Sequence, residues 1–295
     1  MAAITPALGF IGLGQIGAPM AAHWIDWRGG FVAFDVRSDA TEPFGAKGAT
    51  VAASVADVAT KAEIISVMVL DDEQVRGVVD ELLPALRPGA VVAIHSTIRP
   101  ATAEDLAGVV AEAGGSLIDA PVSGGFMGAH DGRLAVMVGG ERDAYERVKD
   151  PFKRFADVVV HAGAAGAGTR MKLARNLLTF VGYTAAAEAQ RLAEAAGLDL
   201  AKLARVVRHS DSLTGGPGSI MLRETTAPMA PDDPWYAILD HTRILGEKDL
   251  SLAVAMGDDL GVELPMGRYA QTAFAAGLGL AAKLSPGDAT EQEEQ

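Results

Sequence analysis

The sequence predicts a doubly wound α/β domain with a mainly parallel sheet, followed by an all-helical domain. Three observations predict it. Short apolar runs alternate with helix-like segments through the first half of the chain. A G-x-G-x-x-G run, Gly12, Gly14 and Gly17, follows directly on the first apolar run. Beyond residue 166 the strand pattern stops, and Ala- and Leu-rich segments at helical spacing take over.

Strands are expected at residues 8–12, 31–34, 64–70, 91–95, 116–119, 134–138 and 158–160. These runs are continuously apolar, as strands covered on both faces require. Helix-like segments fall between most of them, among them 18–24, 72–86 and 101–113. A long helix is expected over 166–196. Gly197 stands where a C-terminal cap belongs, and Asp199 is placed to cap the next helix. Further helices are expected at 200–209, 220–224, 237–260 and 267–284, with the Pro-rich connector 227–235 between the second and third of them. The reading gives a cofactor domain at 1–163 and a helical domain at 164–285 that includes the linking helix. Residues 286–295 read as a solvated tail. A cleft between two such domains is the default place for a site.

Composition narrows the function. The chain has 295 residues, with 49% hydrophobic and 21% charged, which suits a compact globular protein. Its formal net charge of -13 argues against nucleic acid and anionic membranes as partners. There is no cysteine, so thiolate chemistry and Cys-based metal sites are excluded. The six histidines show no H-x-x-x-H or H-E-x-x-H spacing, and no metal is expected. With neither a signal-like segment nor a long apolar span, a cytoplasmic location is the expectation.

The glycine run has a physical reading. Gly12 permits a tight turn, Gly14 lets a pyrophosphate approach the backbone, and Gly17 lets helix pack on strand. Gln15 and Ile16 complete the loop, whose amides face the phosphates. Asp35 ends the second strand, about twenty residues on. A carboxylate there accepts bonds from ribose hydroxyls and repels a 2′-phosphate. The expected cofactor is therefore NAD rather than NADP. Arg37 works against that preference, because an arginine pairs well with such a phosphate.

The stretch GFIGLGQIGAPM (residues 9–20) closely resembles the opening of the β-hydroxyacid dehydrogenases, the family of 3-hydroxyisobutyrate dehydrogenase and tartronate semialdehyde reductase, related to 6-phosphogluconate dehydrogenase. The resemblance recurs in DAPVSGG (119–125), LAVMVGG (134–140), GAAGAGTRMKLARN (163–176) and KDLSLA (248–253). It implies a Rossmann domain plus a helical domain, and a homodimer or homotetramer. It also implies the site residues. Lys172 matches the family's catalytic lysine, and Asn176, one helical turn on, shares its face. Ser123, Gly124 and Gly125 match the substrate-binding turn, where a hydroxyl and bare backbone amides form an anion nest. Lys248 matches a lysine that reaches over the cofactor; a surface pair with Asp249 is the alternative.

Chemistry supports these roles. Oxidising an alcohol by hydride transfer needs a group to take the hydroxyl proton. A lysine does so once burial lowers its pKa. Thr97, or Ser96 beside it, is expected to orient cofactor or substrate, with helix capping as the alternative. His95 reads as structural. The expected substrate is a small anionic 3-hydroxy acid.

The chain departs from the family at three places. Arg175 stands where an asparagine is usual, and it reads as a solvent or subunit contact. His241 and Arg243 add charge capacity before Lys248, and would favour a more anionic substrate if they face the cleft. The run HSDSLTGGPG (209–218) is a candidate pocket rim. Two other readings compete. An imine reductase shares the architecture but generally lacks a lysine at the position of Lys172. A dinucleotide-binding sensor has no chemical need for Lys172, Asn176 and DAPVSGG together.

Overall fold

The computed structural model describes residues 5–280. Residues up to Asn176 form one compact unit, and those from Leu177 form a second. The division falls inside the long helix. The first turns of that helix therefore belong with the sheet.

The first unit runs β1 (Leu8–Ile11), α1 (Gly17–Ala22), β2 (Phe31–Phe34), α2 (Ser38–Gly45), β3 (Thr50–Val51), α3 (Val55–Lys61), β4 (Ile64–Val67) and α4 (Asp72–Leu82). It continues β5 (Val91–Ile94), α5 (Pro100–Glu112), β6 (Ser116–Asp119), β7 (Val122–Ser123), α6 (Gly125–His130), β8 (Leu134–Gly139), α7 (Arg142–Phe152) and β9 (Ala156–Gly163). It ends in the start of α8 (Ala167–Ala195). The sheet order is β3-β2-β1-β4-β5-β6-β8-β7, with β9 on the other side of β8. The strands from β3 to β6 pair in parallel. This is the doubly wound arrangement that the sequence predicts. β8 runs antiparallel to β6 and β7 and parallel to β9.

The period-two geometry of strands sorts the core into two layers. Leu8, Phe10, Val91 and Ala93 face one, with Trp24, Phe152 and Phe155. Ile11, Val92 and Ile94 face the other, with Val58, Val79 and Leu106. Gly9 faces this second layer, where a Cβ would lie 2.6 Å from Val58 Cγ1. Burying one aromatic ring of the first layer contributes about 1.5–3 kcal/mol.

Two strands escape the sequence reading. β3 and β7 have two residues each, and both residues of β3 are exposed, so neither makes an apolar run. The runs expected at 64–70 and 91–95 leave the sheet early, at Val67 and Ile94.

The second unit holds the rest of α8, then α9 (Leu200–Thr214), α10 (Tyr236–Leu260) and α11 (Pro265–Gly277). Asp199 caps α9 through the amides of Ala201 and Lys202. α9 runs past residue 209 and stops at Gly215, whose φ of +86° suits a glycine cap. The helix expected at 220–224 is not formed. Gly216–Ile220 makes one 3-10 turn, since Gly215 and Gly216 both take positive φ and Pro217 follows. α11 starts at Pro265 and ends at Gly277; residues 281–284 of the expected helix lie outside the described residues, as does the expected tail. Glu188 of α8 caps α11, accepting from Met266 N at 2.8 Å and Gly267 N at 3.1 Å. Gly246 lets the Phe274 ring pack within 2.2 Å of where a Cβ would sit. Among the described residues, no helix is long and apolar enough to cross a membrane.

Candidate active site

Strand order reverses direction between β1 and β4, so the loops leaving their C-terminal ends part to open a crevice. A cavity of about 730 Å³ lies there, lined by Gly12, Gly14, Gln15, Ile16, Gly17 and Asp35 together with Arg37 and Leu70. The three glycines do different work. Gly12 has a φ of +93°, and a Cβ on it would fall 2.2 Å from Met68 O. A Cβ on Gly17 would fall 2.0 Å from Gly12 O. A Cβ on Gly14 would meet nothing within 4 Å. Gly12 and Gly17 serve the fold, while Gly14 keeps space clear. That cradle fits a dinucleotide pyrophosphate.

Asp35 holds the loop as well as facing the cavity. Its Oδ2 accepts from Leu13 N at 2.7 Å, and its Oδ1 accepts from Arg37 N at 2.9 Å. Each carboxylate oxygen has two lone pairs, so capacity for ribose hydroxyls is left. Arg37 turns its Nε to within 3.4 Å of Asp35 Oδ1. The sequence reading missed Val36 and Leu70, which line the same cavity at 91% and 79% exposure. Apolar surface left open at a cavity rim suits the face of a heteroaromatic base. The available signal was an apolar residue directly after Asp35 and another at the end of the run 64–70.

Residues 95–97 follow directly on β5. His95 is fully buried among Phe10, Phe152 and Phe155. Its Nδ1 lies 2.7 Å from Ala120 O, and a carbonyl only accepts, so the ring proton sits on Nδ1. Nε2 then accepts from Ser66 Oγ at 2.8 Å. Burial pushes its pKa down to about 4. His95 is a neutral structural group. Ser96 Oγ both donates to Val69 O and accepts from Val69 N, tying β5 to the loop after β4. Neither Ser96 nor Thr97 caps the next helix, because Arg99 occupies that place. Thr97 is exposed beyond the C-terminal end of β5 and does not line the glycine-loop cavity.

The third cluster joins the end of β6 to the start of α8. Asp119 is buried and accepts from Gly166 N at 2.8 Å and Thr169 N at 2.6 Å, so the first residue of the DAPVSGG segment is the cap of the lysine-bearing helix. Burial pushes its carboxyl up, against the pull of those two amides. The sequence reading had assigned Asp119 no separate role. On α8, Lys172 is half-buried, and its Nζ donates to Val122 O at 2.5 Å. That carbonyl belongs to the residue before Ser123. Lys172 is thereby held beside the Ser123–Gly125 turn, where Gly124 and Gly125 take φ of +135° and +66°. A Cβ on Gly125 would meet nothing within 4 Å, so the turn is open. Burial, and then the charge of Arg175, lower the Lys172 pKa. Asn176 follows one turn on, and its Oδ1 accepts from Arg175 Nη1 at 3.4 Å. Arg175 is exposed, and its guanidinium reaches the carboxamide of the neighbouring Asn176.

Two expectations fall in the second unit. Lys248 is exposed and paired with Asp249 at 2.8 Å. Arg243 is only 3% exposed at its side chain and lies 2.7 Å from both Asp240 and Glu247 of its own helix. Two carboxylates, three residues before and four after, already neutralise it. It is not the available cation that the sequence suggested. His241 is exposed.

Comparison with known proteins identifies the family. Residues 7–163 match the model of the NAD binding domain of 6-phosphogluconate dehydrogenase. Residues 166–291 match that of the NAD-binding domain of NADP-dependent 3-hydroxyisobutyrate dehydrogenase. An uncharacterized oxidoreductase of Mycobacterium tuberculosis is 58% identical over 94% of both chains. The crystal structure of an oxidoreductase from Mycobacterium avium superposes with a TM-score of 0.91 at 55% identity, over 94% of this chain and 100% of that one. An NAD-dependent L-serine dehydrogenase of Pseudomonas aeruginosa is 32% identical over 90% of both chains. The chain is an NAD(P)-dependent oxidoreductase and belongs to the β-hydroxyacid dehydrogenase family, that of 3-hydroxyisobutyrate dehydrogenase.

Proposed function

We propose that the protein oxidises a small 3-hydroxy acid with NAD, or reduces the matching semialdehyde in reverse. The observation that carries this reading is the placing of Lys172. A half-buried amine with a depressed pKa is held at Val122 O, beside an open turn of bare amides. Bound nicotinamide dinucleotide supplies the acceptor for the hydride of the carbinol carbon. The neutral Lys172 amine takes the hydroxyl proton during oxidation, and its ammonium returns it during reduction. Asn176 assists through its carboxamide. Ser123, Gly124 and Gly125 hold the carboxylate without a fixed charge. Gly12, Gly14, Gln15, Ile16 and Gly17 cradle the pyrophosphate, and Asp35 takes the ribose hydroxyls. In this reading Thr97, exposed beyond the end of β5, would face the bound cofactor. L-Serine, named for the Pseudomonas relative, is itself a 3-hydroxy acid, which supports the substrate class.

NAD is the preferred cofactor in this reading because Asp35 repels a 2′-phosphate. A second copy of the chain covers apolar side chains exposed in the second unit, among them Tyr183 at 66% and Leu213 at 74%. Light scattering in solution then gives a dimer or tetramer.

The test is NAD reduction, followed by absorbance, across short 3-hydroxy acids including L-serine, with NADP in parallel and Lys172→Ala alongside. Turnover with NAD that disappears in the variant supports the proposal. Turnover that persists in Lys172→Ala removes the lysine from its role. NAD binding without turnover on the whole panel points to a dinucleotide sensor.

A further inference from the structure

We propose that Arg175 is a positioning residue of this reaction: a fixed cation on the helix face of Lys172 that orients the Asn176 carboxamide and keeps the lysine amine ready to accept a proton. The inference rests on the assignment of Lys172 as the proton-transfer group.

Three observations carry it. Arg175 is three residues after Lys172 on α8, a spacing that brings two long side chains together on a helix. Its guanidinium is exposed and donates to the next residue, with Nη1 3.4 Å from Asn176 Oδ1. Because Oδ1 is the acceptor of that bond, the two amide N–H donors of Asn176 are left for a ligand. The third observation is the lysine's own surroundings. Its Nζ donates to a neutral backbone carbonyl, Val122 O, and among the described residues no carboxylate pairs with it.

The charged groups of neighbouring elements have other partners. Asp119 of β6 caps the helix start. Glu104 of α5 pairs with Arg170. Asp105 of α5 pairs with Arg76. His130 of α6 pairs with Asp131. β7 and β8 carry no charged residue. After burial, the charge of Arg175 lowers the Lys172 pKa. The family's usual asparagine offers an amide here and no charge. This chain instead places a permanent cation beside its base.

The test uses the full-length protein with Arg175→Gln and Arg175→Lys, and its first readout needs no substrate. Lysine acetylation by acetic anhydride is measured across pH, and the Lys172 peptide is quantified by mass spectrometry. The remaining lysines serve as internal controls of folding. Removing a unit charge three residues away on the helix moves the Lys172 inflection up by about half a unit to one unit. Arg175→Lys keeps the wild-type inflection. The second readout is the pH profile of kcat/KM for NAD reduction. Arg175→Gln loses about three- to tenfold below the inflection and recovers above it. An unchanged Lys172 inflection in Arg175→Gln overturns the proposal, as does Arg175→Lys behaving like Arg175→Gln. Turnover persisting in Lys172→Ala overturns the underlying assignment instead, whatever the labelling shows. The two failures are therefore distinct.

Discussion

His95 gives the protein a specific acid sensitivity whose size follows from its burial. The ring is neutral, fully enclosed and bonded at both nitrogens, and its pKa falls from 6.5 to about 4. The folded pKa lies below the unfolded one, so the unfolded chain binds the proton more readily. The stability linked to this group is therefore complete above pH 6.5 and is lost as pH falls toward 4. Lowering the pH from 7.5 to 4.5 removes about 2 to 3 kcal/mol through this ring alone, and roughly half of that is gone by pH 5.5. His95→Gln keeps a donor and an acceptor but has no proton to gain. The substitution costs some packing at every pH, so the diagnostic quantity is the change with pH. Urea unfolding at pH 7.5, 5.5 and 4.5, followed by tryptophan fluorescence, measures it. Trp24 packs on Phe155, which contacts His95, and so reports on this layer. Other carboxylates titrate alike in both proteins and cancel in the difference. If wild type and His95→Gln lose stability in parallel, the neutral, buried state of His95 is wrong.

Two further predictions separate folding from binding. Gly14→Val leaves Tm within about 2 °C but weakens NAD by tenfold or more, because its side chain enters open space at the cavity; Gly17→Ala lowers Tm instead, since its Cβ meets Gly12 O, and thermal melts with NAD titrations tell them apart. Asp119→Ala strips the cap from α8 and costs about 1–2 kcal/mol, with kcat falling as Lys172 loses its seat; unchanged stability by urea unfolding would show that the helix start is held by packing alone.

The fold was legible in the sequence wherever one physical constraint acted alone. Apolar runs of four or more residues marked six of the parallel or core strands because burial on both faces allows nothing else. β3 left no such mark, since Thr50 and Val51 are exposed. The glycine loop was legible because each glycine answers a different steric demand. Arg243 was misread for the opposite reason. A charge in the sequence looks available until its partners are known, and Asp240 and Glu247 lay in plain view at helical spacing. The segment 220–224 failed because local helix pattern was weighed without Gly215, Gly216 and Pro217 just ahead of it. The lysine was legible only through the motif, since an isolated Lys–Asn pair does not announce burial.

The placing of that lysine follows from contacts that the motif encodes but does not display. Asp119 ends β6 and binds the first amides of α8, so sheet and helix meet at one carboxylate. The approach there is close enough that a Cβ on Gly139 would lie 2.4 Å from Asp119 Oδ1, and one on Gly168 would lie 2.3 Å from Met137 O. Both positions must be glycine for the helix to sit where it does. Residues four apart share a helix face, so Gly168, Lys172 and Asn176 form a single line. The first of them touches the sheet. The second, one turn further on, reaches the carbonyl of Val122. The third stands beyond it with its amide turned by Arg175. A glycine needed for packing thus sets the line on which Lys172 reaches Val122 O, beside the Ser123–Gly125 turn, with Asn176 one turn further on.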